Sequence, residues 1–494
     1  MHTRSFIVLG YALLFSGCND VVSTRRNLDH CTWKGGDGYC ADRSPDMPYC
    51  VAGYGDCLAG GRYGCVAEVT PECHAPCGEP GDLSCVVGES STGTSSMGTE
   101  TSGSSESGSE SSSTTGPMSC VNDEECTDAA APFCGVSGEC GTCEGTKDGD
   151  AACAGVDPGL PLCVGGACVQ CTAAAPEACT GTTPLCDDAT NTCVPCTEHG
   201  QCGEAACNLY TGACLPGDAE AIAHVGPGQE FASLTLAVAS IPADAEGTVV
   251  VHQANYDEAV TVDGNRTVAF LAAEGDSPVW GLLAGGMPQL TVPMGSTVLV
   301  EGMQLSGNAN DLGLRVDGGR AWVDRSRIVQ NSGGGVLAEA GAELTLRNCF
   351  VGGSVNNVAA LAVTGATATI TYVTAGAGFG TATALTCDVA ATVDTRNSLF
   401  VSEDAGGDEV QCPGATIEHS AAELDLGGTN VALGDMATTW FTAYGTGDFG
   451  LTAMHPVAID TAAQWQTGDP TTDIDGDPRP AVDATPDYAG ADVP

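Results

Sequence analysis

At 494 residues the chain has room for about two to four domains. It carries 63 acidic against 15 basic residues, a formal net charge of −48, and its only lysines are Lys34 and Lys147. Such a surface stays soluble, can attract cations and repels phosphate backbones, which argues against nucleic acid as a partner.

The first eighteen residues, MHTRSFIVLGYALLFSGC, set Arg4 before an apolar run Phe6–Phe15 that is too short to cross a bilayer and reads as a signal peptide. Ser16, Gly17 and Cys18 resemble a bacterial lipobox, with Phe15 where the pattern usually has Leu and Leu14 one place early. The resemblance implies cleavage before Cys18 and lipid attachment to it. The mature chain is then exported and anchored to the cell envelope, at the outer membrane or cell surface, by lipid alone, since no later apolar run is long enough to span. An ordinary secretory signal, with Cys18 within or beyond the cleavage region, is the competing reading.

Of the 28 cysteines, nine fall in 1–87, sixteen in 120–214 and three beyond, and that density implies disulfides and an oxidising compartment. Residues 19–87 form one cysteine-rich module, with eight Cys between Cys31 and Cys85. Residues 88–118 are almost wholly Ser, Thr, Gly and Glu, without Lys or Arg. They cannot bury a core, so a flexible spacer with a span of about 30 Å is expected.

Residues 119–216 hold a repeat. Cys120, Cys143, Cys171 and Cys196 each open a four-Cys unit, and each later opener follows its predecessor's last Cys by C-x-x-C. In the first unit the cysteines are Cys120, Cys126, Cys134 and Cys140. Gly and Asn turns between the third and fourth Cys predict a small hairpin stapled at its base, with bridges in place of a core. The CGTC, CVQC and CVPC steps also fit zinc or redox pairs, but each unit pairs internally by count, His199 is the only histidine there, and export favours oxidation.

Residues 217–494 contain a second repeat. Copies starting at 296, 320, 343, 367 and 391 each hold short β-type runs separated by Gly, Asn and Asp. One copy cannot bury its apolar face, but stacked copies share a core. Leu314, Val336, Leu361, Leu385 and Val410 take equivalent places, as do Val316, Ala338, Val363, Cys387 and Cys412, and both columns point inward. Cys387 and Cys412 are then vertical neighbours, either bridged or a pair of buried thiols. Cys349 has no evident mate. Asp324 and Arg347 stack on the opposite face as an exposed pair of little energetic weight.

A period near 24 with three runs per copy resembles the right-handed parallel β-helix of the pectin-lyase-like superfamily, and all-β is the fold class this implies. The segment 225–262 resembles the start of pectin methylesterases: a Gly-rich lead, a helix with the stripe Phe231, Leu234, Val238 and Ile241, a strand, then ANYDEAV, with Ala254 where the family usually has Gly. The stripe is suited to plug the open end of the coil. Trp440, Phe441, Tyr444, Phe449 and Trp465 suggest a cap at the far end. The last 22 residues resemble the D-x-D-G-x-x-R-P tail of exported β-helix proteins.

The segments that carry catalysis in pectin methylesterases (Q-x-D, D-F-I-F, L-G-R-P-W) and in polygalacturonases (N-T-D, D-D, G-H-G) are absent, and this domain has no Lys to serve as a lyase base. Arg347 and Arg396 fall two coils apart with Thr371 between. No catalytic residues are assigned. Asp473, Asp475 and Asp477 around Gly476 could ligate Ca²⁺ or close a turn on backbone amides and Arg479. The eight histidines are scattered without H-x-x-H, so no transition-metal site is expected. The expected function is a non-catalytic surface lipoprotein whose β-helix flank binds extracellular glycan or a surface protein. The alternatives are a polysaccharide esterase or lyase with degenerate motifs, and a structural envelope component.

Overall fold

Strands of three to five residues that alternate apolar with polar side chains cannot bury a face alone, and the chain meets that demand by stacking them. The computed structural model describes Cys40, Tyr49–Cys50, Cys65–Val66 and residues 119–128, 131–281, 286–352, 358–378, 383–403 and 408–494. Two units are distinct, Met1–Ser112 and Ser113–Pro494. In the first, Tyr49–Cys50 pairs antiparallel with Cys65–Val66, and Cys40 is bonded to Cys65. Cys18, the spacer 88–118 and most of 19–87 lie outside the described residues.

In the second unit, from Ile222 onward, the chain is a parallel β-solenoid of about 24 residues per coil. Each coil contributes three runs. The first includes Thr297–Glu301, Arg320–Asp324 and Thr392–Arg396; the second Gln304–Ser306, Arg327–Val329 and Leu399–Ser402; the third Leu314–Asp317, Val336–Glu339 and Leu361–Thr364. The third runs stack in one seven-stranded sheet, where Leu314, Val336, Leu361, Leu385 and Val410 align, and Val316 aligns with Ala338, Val363 and Cys387. The first-run register aligns Thr297 with Arg320, Glu343, Thr367 and Thr392. It thus differs by one residue from the sequence-derived starts at 296 and 391. The inward columns are Val, Leu, Ile and Ala with essentially no exposure, each larger aliphatic contributing about 1.5–3 kcal/mol relative to exposure.

The corner between first and second runs is made by one residue per coil in the left-handed region: Gly302, Arg325, Asn348, Tyr372, Asn397 and His419, with φ between 43° and 73°. The next residue points inward. Ser326, Ser398 and Ser420 there donate to the carbonyls of Asp324, Arg396 and Glu418, and accept the amides of Met303, Val373 and Ser398. Cys349 stands in the same column as a free, buried thiol, 3.1 Å from the Arg347 carbonyl. The column also holds Met303 and Val373, the latter directly above Cys349, so no second sulfhydryl lies next to it for a bridge.

The helix Leu234–Ser240 closes the first coil, with Leu234, Ala237, Val238 and Ile241 in the core and Phe231 packed against it. Ser233 caps it, and the Glu258 carboxylate of the ANYDEAV segment accepts the amides of Leu234 and Thr235 at 2.7 and 2.9 Å. An acidic group at a helix N-terminus satisfies donors that have no partner inside the helix.

Each cysteine unit joins its first Cys to its third and its second to its fourth. Cys120–Cys134 and Cys126–Cys140 form the first unit, and the pattern repeats through Cys143–Cys163, Cys153–Cys168, Cys171–Cys186, Cys179–Cys193, Cys196–Cys207 and Cys202–Cys214. The third and fourth cysteines face each other across the hairpin, as Cys134 does Cys140. The expectation of a staple across the hairpin base is therefore corrected: each hairpin strand is tied to the segment before it. Facing residues of an antiparallel pair lie on one side, so both bridges lie beneath the same face of the hairpin.

Candidate functional site

A three-sided solenoid offers three outward flanks, and two are occupied by the chain itself. On the first, the outward column Thr248, Ala269, Leu299 and Trp322 receives the fourth cysteine unit. Ala206 and Leu215 are buried against it, the Ala206 amide donates to Thr248 Oγ1 at 2.9 Å, and Tyr210 meets Trp322 edge-on at 5.5 Å under the Arg320 guanidinium. This unit is thus packed directly on the solenoid.

A polar group completes that contact. His199 is buried, its Nδ1 accepts the Cys207 amide at 3.1 Å, and its Nε2 lies 3.6 Å from Glu301. Burial, helped by Arg347 and Arg325, pushes the imidazole down to about 4. Asp324 and Arg347 stack in register, with Arg347 Nε donating to Asp324 Oδ2 at 2.8 Å. Asp324 is only 3 % exposed, which corrects the expectation of an exposed pair. The docked unit excludes water from a position that lies outside the core. Burial pushes the Asp324 carboxyl up, and the Arg347 guanidinium opposes that shift.

On the second flank the C-terminal segment runs back along the coils. Trp440, Phe441, Tyr444, Phe449 and Trp465 pack on Val329, Phe350, Leu399 and Val401. The expected end cap is therefore a lateral cover that reaches back to the coil of Val329. A Cβ at Gly376 would lie 2.5 Å from the Phe449 ring, so only glycine admits that ring. The left-handed corner residues grip the segment from one side. Asn348 Nδ2 donates to the Thr472 carbonyl at 2.8 Å, Asn397 exchanges two hydrogen bonds with the Gln464 backbone, and Arg479 lies 3.9 Å over the Tyr372 ring. Arg396 pairs with Asp469, so Arg347 and Arg396, two coils apart in register with Thr371 between, are both held in structural ion pairs.

The Asp473, Asp475 and Asp477 turn belongs to this cover. Asp473 is fully buried. Its Oδ1 accepts the amides of Asp475, Gly476 and Asp477 at 2.9, 2.8 and 2.7 Å, and its Oδ2 accepts that of Val493 at 2.8 Å. Asp475 pairs with Arg327 at 2.7 Å. Arg479 is buried against Asp487 and the Gly490 carbonyl. Carboxylates used this way fasten the tail. Further along, buried Glu423 accepts the amides of Ser402 and Met436 at 2.6 and 3.0 Å, joining the last coils to the segment that follows, and burial pushes its carboxyl up to about 7.

Among the described residues, groups of three converging ligand atoms occur only within the cysteine units, where every sulfur is in a disulfide. Each C-x-x-C step is split between bridges, as Cys140 and Cys143 are. Cys387 and Cys412 are bonded across adjacent coils with Cα atoms 4.4 Å apart.

The third flank carries the columns Thr291, Arg315, Leu337, Ala362 and Thr386, and Asp317, Glu339 and Thr364. Arg315 bridges Glu339 at 2.6 Å and Asp317 at 3.5 Å. Among the described residues no apolar cluster covers this flank.

One cluster escaped the sequence analysis. His224 and His252, read as scattered, meet on neighbouring coils with His224 Nδ1 and His252 Nε2 3.2 Å apart, and Asp276 lies beside His252. Their separations in the chain are near one coil, so a search at the coil period, rather than at helical spacing, would have found them.

Among the described residues no helix is long and apolar enough to cross a membrane. A profile for a family of unknown function (DUF8331) matches residues 105–220, the stretch that contains the four cysteine units. No curated protein matches the chain.

Proposed function

We propose that the chain is an exported lipoprotein of the cell envelope, held at the outer membrane or cell surface by lipid on Cys18, whose solenoid presents its third flank to extracellular polysaccharide or to a surface protein without catalysis. The observation that carries this reading is the distribution of cover. The fourth cysteine unit and the C-terminal segment occupy two flanks. On the third, Thr, Arg, Asp and Glu side chains, with Leu337 and Ala362 among them, rise in straight columns at a spacing of about 4.8 Å. An uncovered, evenly spaced row of mixed polar and small apolar side chains suits an extended partner with its own repeat. The coil length and the segment 225–262 support a place for the solenoid in the pectin-lyase-like superfamily. The density of disulfides supports export, since such bridges persist in oxidising compartments.

Two measurements test this. The mass of the mature N-terminus should show a lipidated Cys18; an unmodified terminus would remove the anchor. Glycan-array and envelope-fraction binding should be retained by the wild type and weakened by Arg315→Glu with Leu337→Lys. Release of reducing ends or methanol from pectin-like polymers would instead favour an enzyme.

A further inference from the structure

The first coils bring together three side chains that the chain separates widely. His224 lies on the strand Ile222–Val225, His252 follows Glu246–Val251, and Asp276 follows Thr267–Ala272. His224 Nδ1 and His252 Nε2 are 3.2 Å apart, and His252 Nδ1 lies 3.6 Å from Asp276 Oδ2. Two nitrogens each about 2.0–2.1 Å from one tetrahedral ion stand about 3.3 Å from each other. The two rings are joined by an N–H···N hydrogen bond whose length is close to the separation of two imidazoles sharing an ion, so an ion would take the place of that proton.

The surroundings hold these groups in place. The His252 amide donates to the Val225 carbonyl at 2.9 Å, and the Gln253 amide donates to Asp276 Oδ2 at 3.0 Å. The Tyr256 hydroxyl sits 3.0 and 2.7 Å from the carbonyls of Val225 and His252. Gly226, with φ 147°, passes beneath His252 where a Cβ would come within 2.9 Å of the His252 Cβ. His252 and Asp276 are 27 % and 30 % exposed, so an ion from solvent can reach them.

We propose that His224 and His252 form a site for a divalent ion of borderline softness, Zn²⁺, Ni²⁺ or Cu²⁺. His224 Nδ1 and His252 Nε2 are the protein ligands and water completes the shell. Asp276, 3.6 Å away and too far for a direct hydrogen bond, favours the proton on His252 Nδ1 by its charge, which leaves the Nε2 lone pair for the ion. Imidazole nitrogen suits these ions, whereas Ca²⁺ and Mg²⁺ call for oxygen. Other described histidines are less suited. His199 is buried with its Nδ1 accepting an amide, and His455 has both nitrogens against Thr452 and Asp460.

The test is titration of Zn²⁺ into the full, oxidised chain by calorimetry, with Cu²⁺ electron paramagnetic resonance to identify ligands. The expected result is one saturable site that is lost or weakened at least tenfold by His224→Gln or His252→Gln, with hyperfine coupling from two imidazoles in the wild type. Asp276→Asn should weaken it roughly tenfold, and His419→Gln should leave it unchanged. Circular dichroism of each variant separates loss of the site from loss of the fold. Failure of the wild type to bind at millimolar Zn²⁺, or wild-type affinity in correctly folded His224→Gln and His252→Gln, would overturn the proposal.

Discussion

Single residues in this solenoid do work that their types alone do not announce. Cys349 stands in a column shared by Ser326, Ser398 and Ser420 and by the apolar Met303 and Val373, and burial pushes its thiol up to about 12. Cys349→Ser should therefore cost less than about 1 kcal/mol, because a hydroxyl takes over the same contacts. Peptide mapping after alkylation at pH 8 should label Cys349 only in denaturant. His199 is neutral when folded, with its pKa held at about 4 against an ordinary 6.5. The unfolded chain then takes up a proton at His199 between pH 6.5 and 4 that the folded chain refuses. Stability present above 6.5 is lost as pH falls through that window, by about 3 kcal/mol from this residue. His199→Asn, which keeps an acceptor for the Cys207 amide, should flatten the acid limb of a melting curve series.

At the scale of elements, the C-terminal segment behaves as a missing wall of the solenoid. It buries Val329, Phe350, Leu399 and Val401, which would otherwise form an exposed apolar stripe. Phe449→Ala should cost about 3–5 kcal/mol by the cavity it leaves between Phe350, Tyr444 and Gly376, and should raise binding of a hydrophobic dye, read alongside the melting temperature. The cysteine units are elements of the opposite kind. Phe133 and the sulfurs form the small core of the first two units, so bridges worth roughly 2–4 kcal/mol each replace packing.

For the whole molecule these two modes of stabilisation predict separable unfolding. Mild reductant should melt residues 120–195, monitored by protease sensitivity, while the solenoid keeps its β signal in circular dichroism. The Cys387–Cys412 bridge only adds to coils already closed by hydrogen bonds. A single joint transition in reductant would contradict this division. Much of the architecture was legible beforehand, because a repeat of about 24 residues writes its register into the chain. Columns such as Leu314, Val336, Leu361, Leu385 and Val410 follow from spacing alone, since each inward side chain must sit above the last. The internal pairing of cysteines was likewise fixed by count, though their order of connection was not. What the sequence could not state was which outward faces are covered. Trp322 and Phe350 sit at outward positions, and only the docking of the fourth cysteine unit and of the C-terminal segment partly covers the first, buries the second, and makes an ion pair such as Asp324 with Arg347 a water-excluded one. The meeting of His224 with His252 is decided at the same level. Periodicity governs neighbours along a repeat, whereas contacts between a repeat and its non-repeating flanks depend on the path of the chain in space.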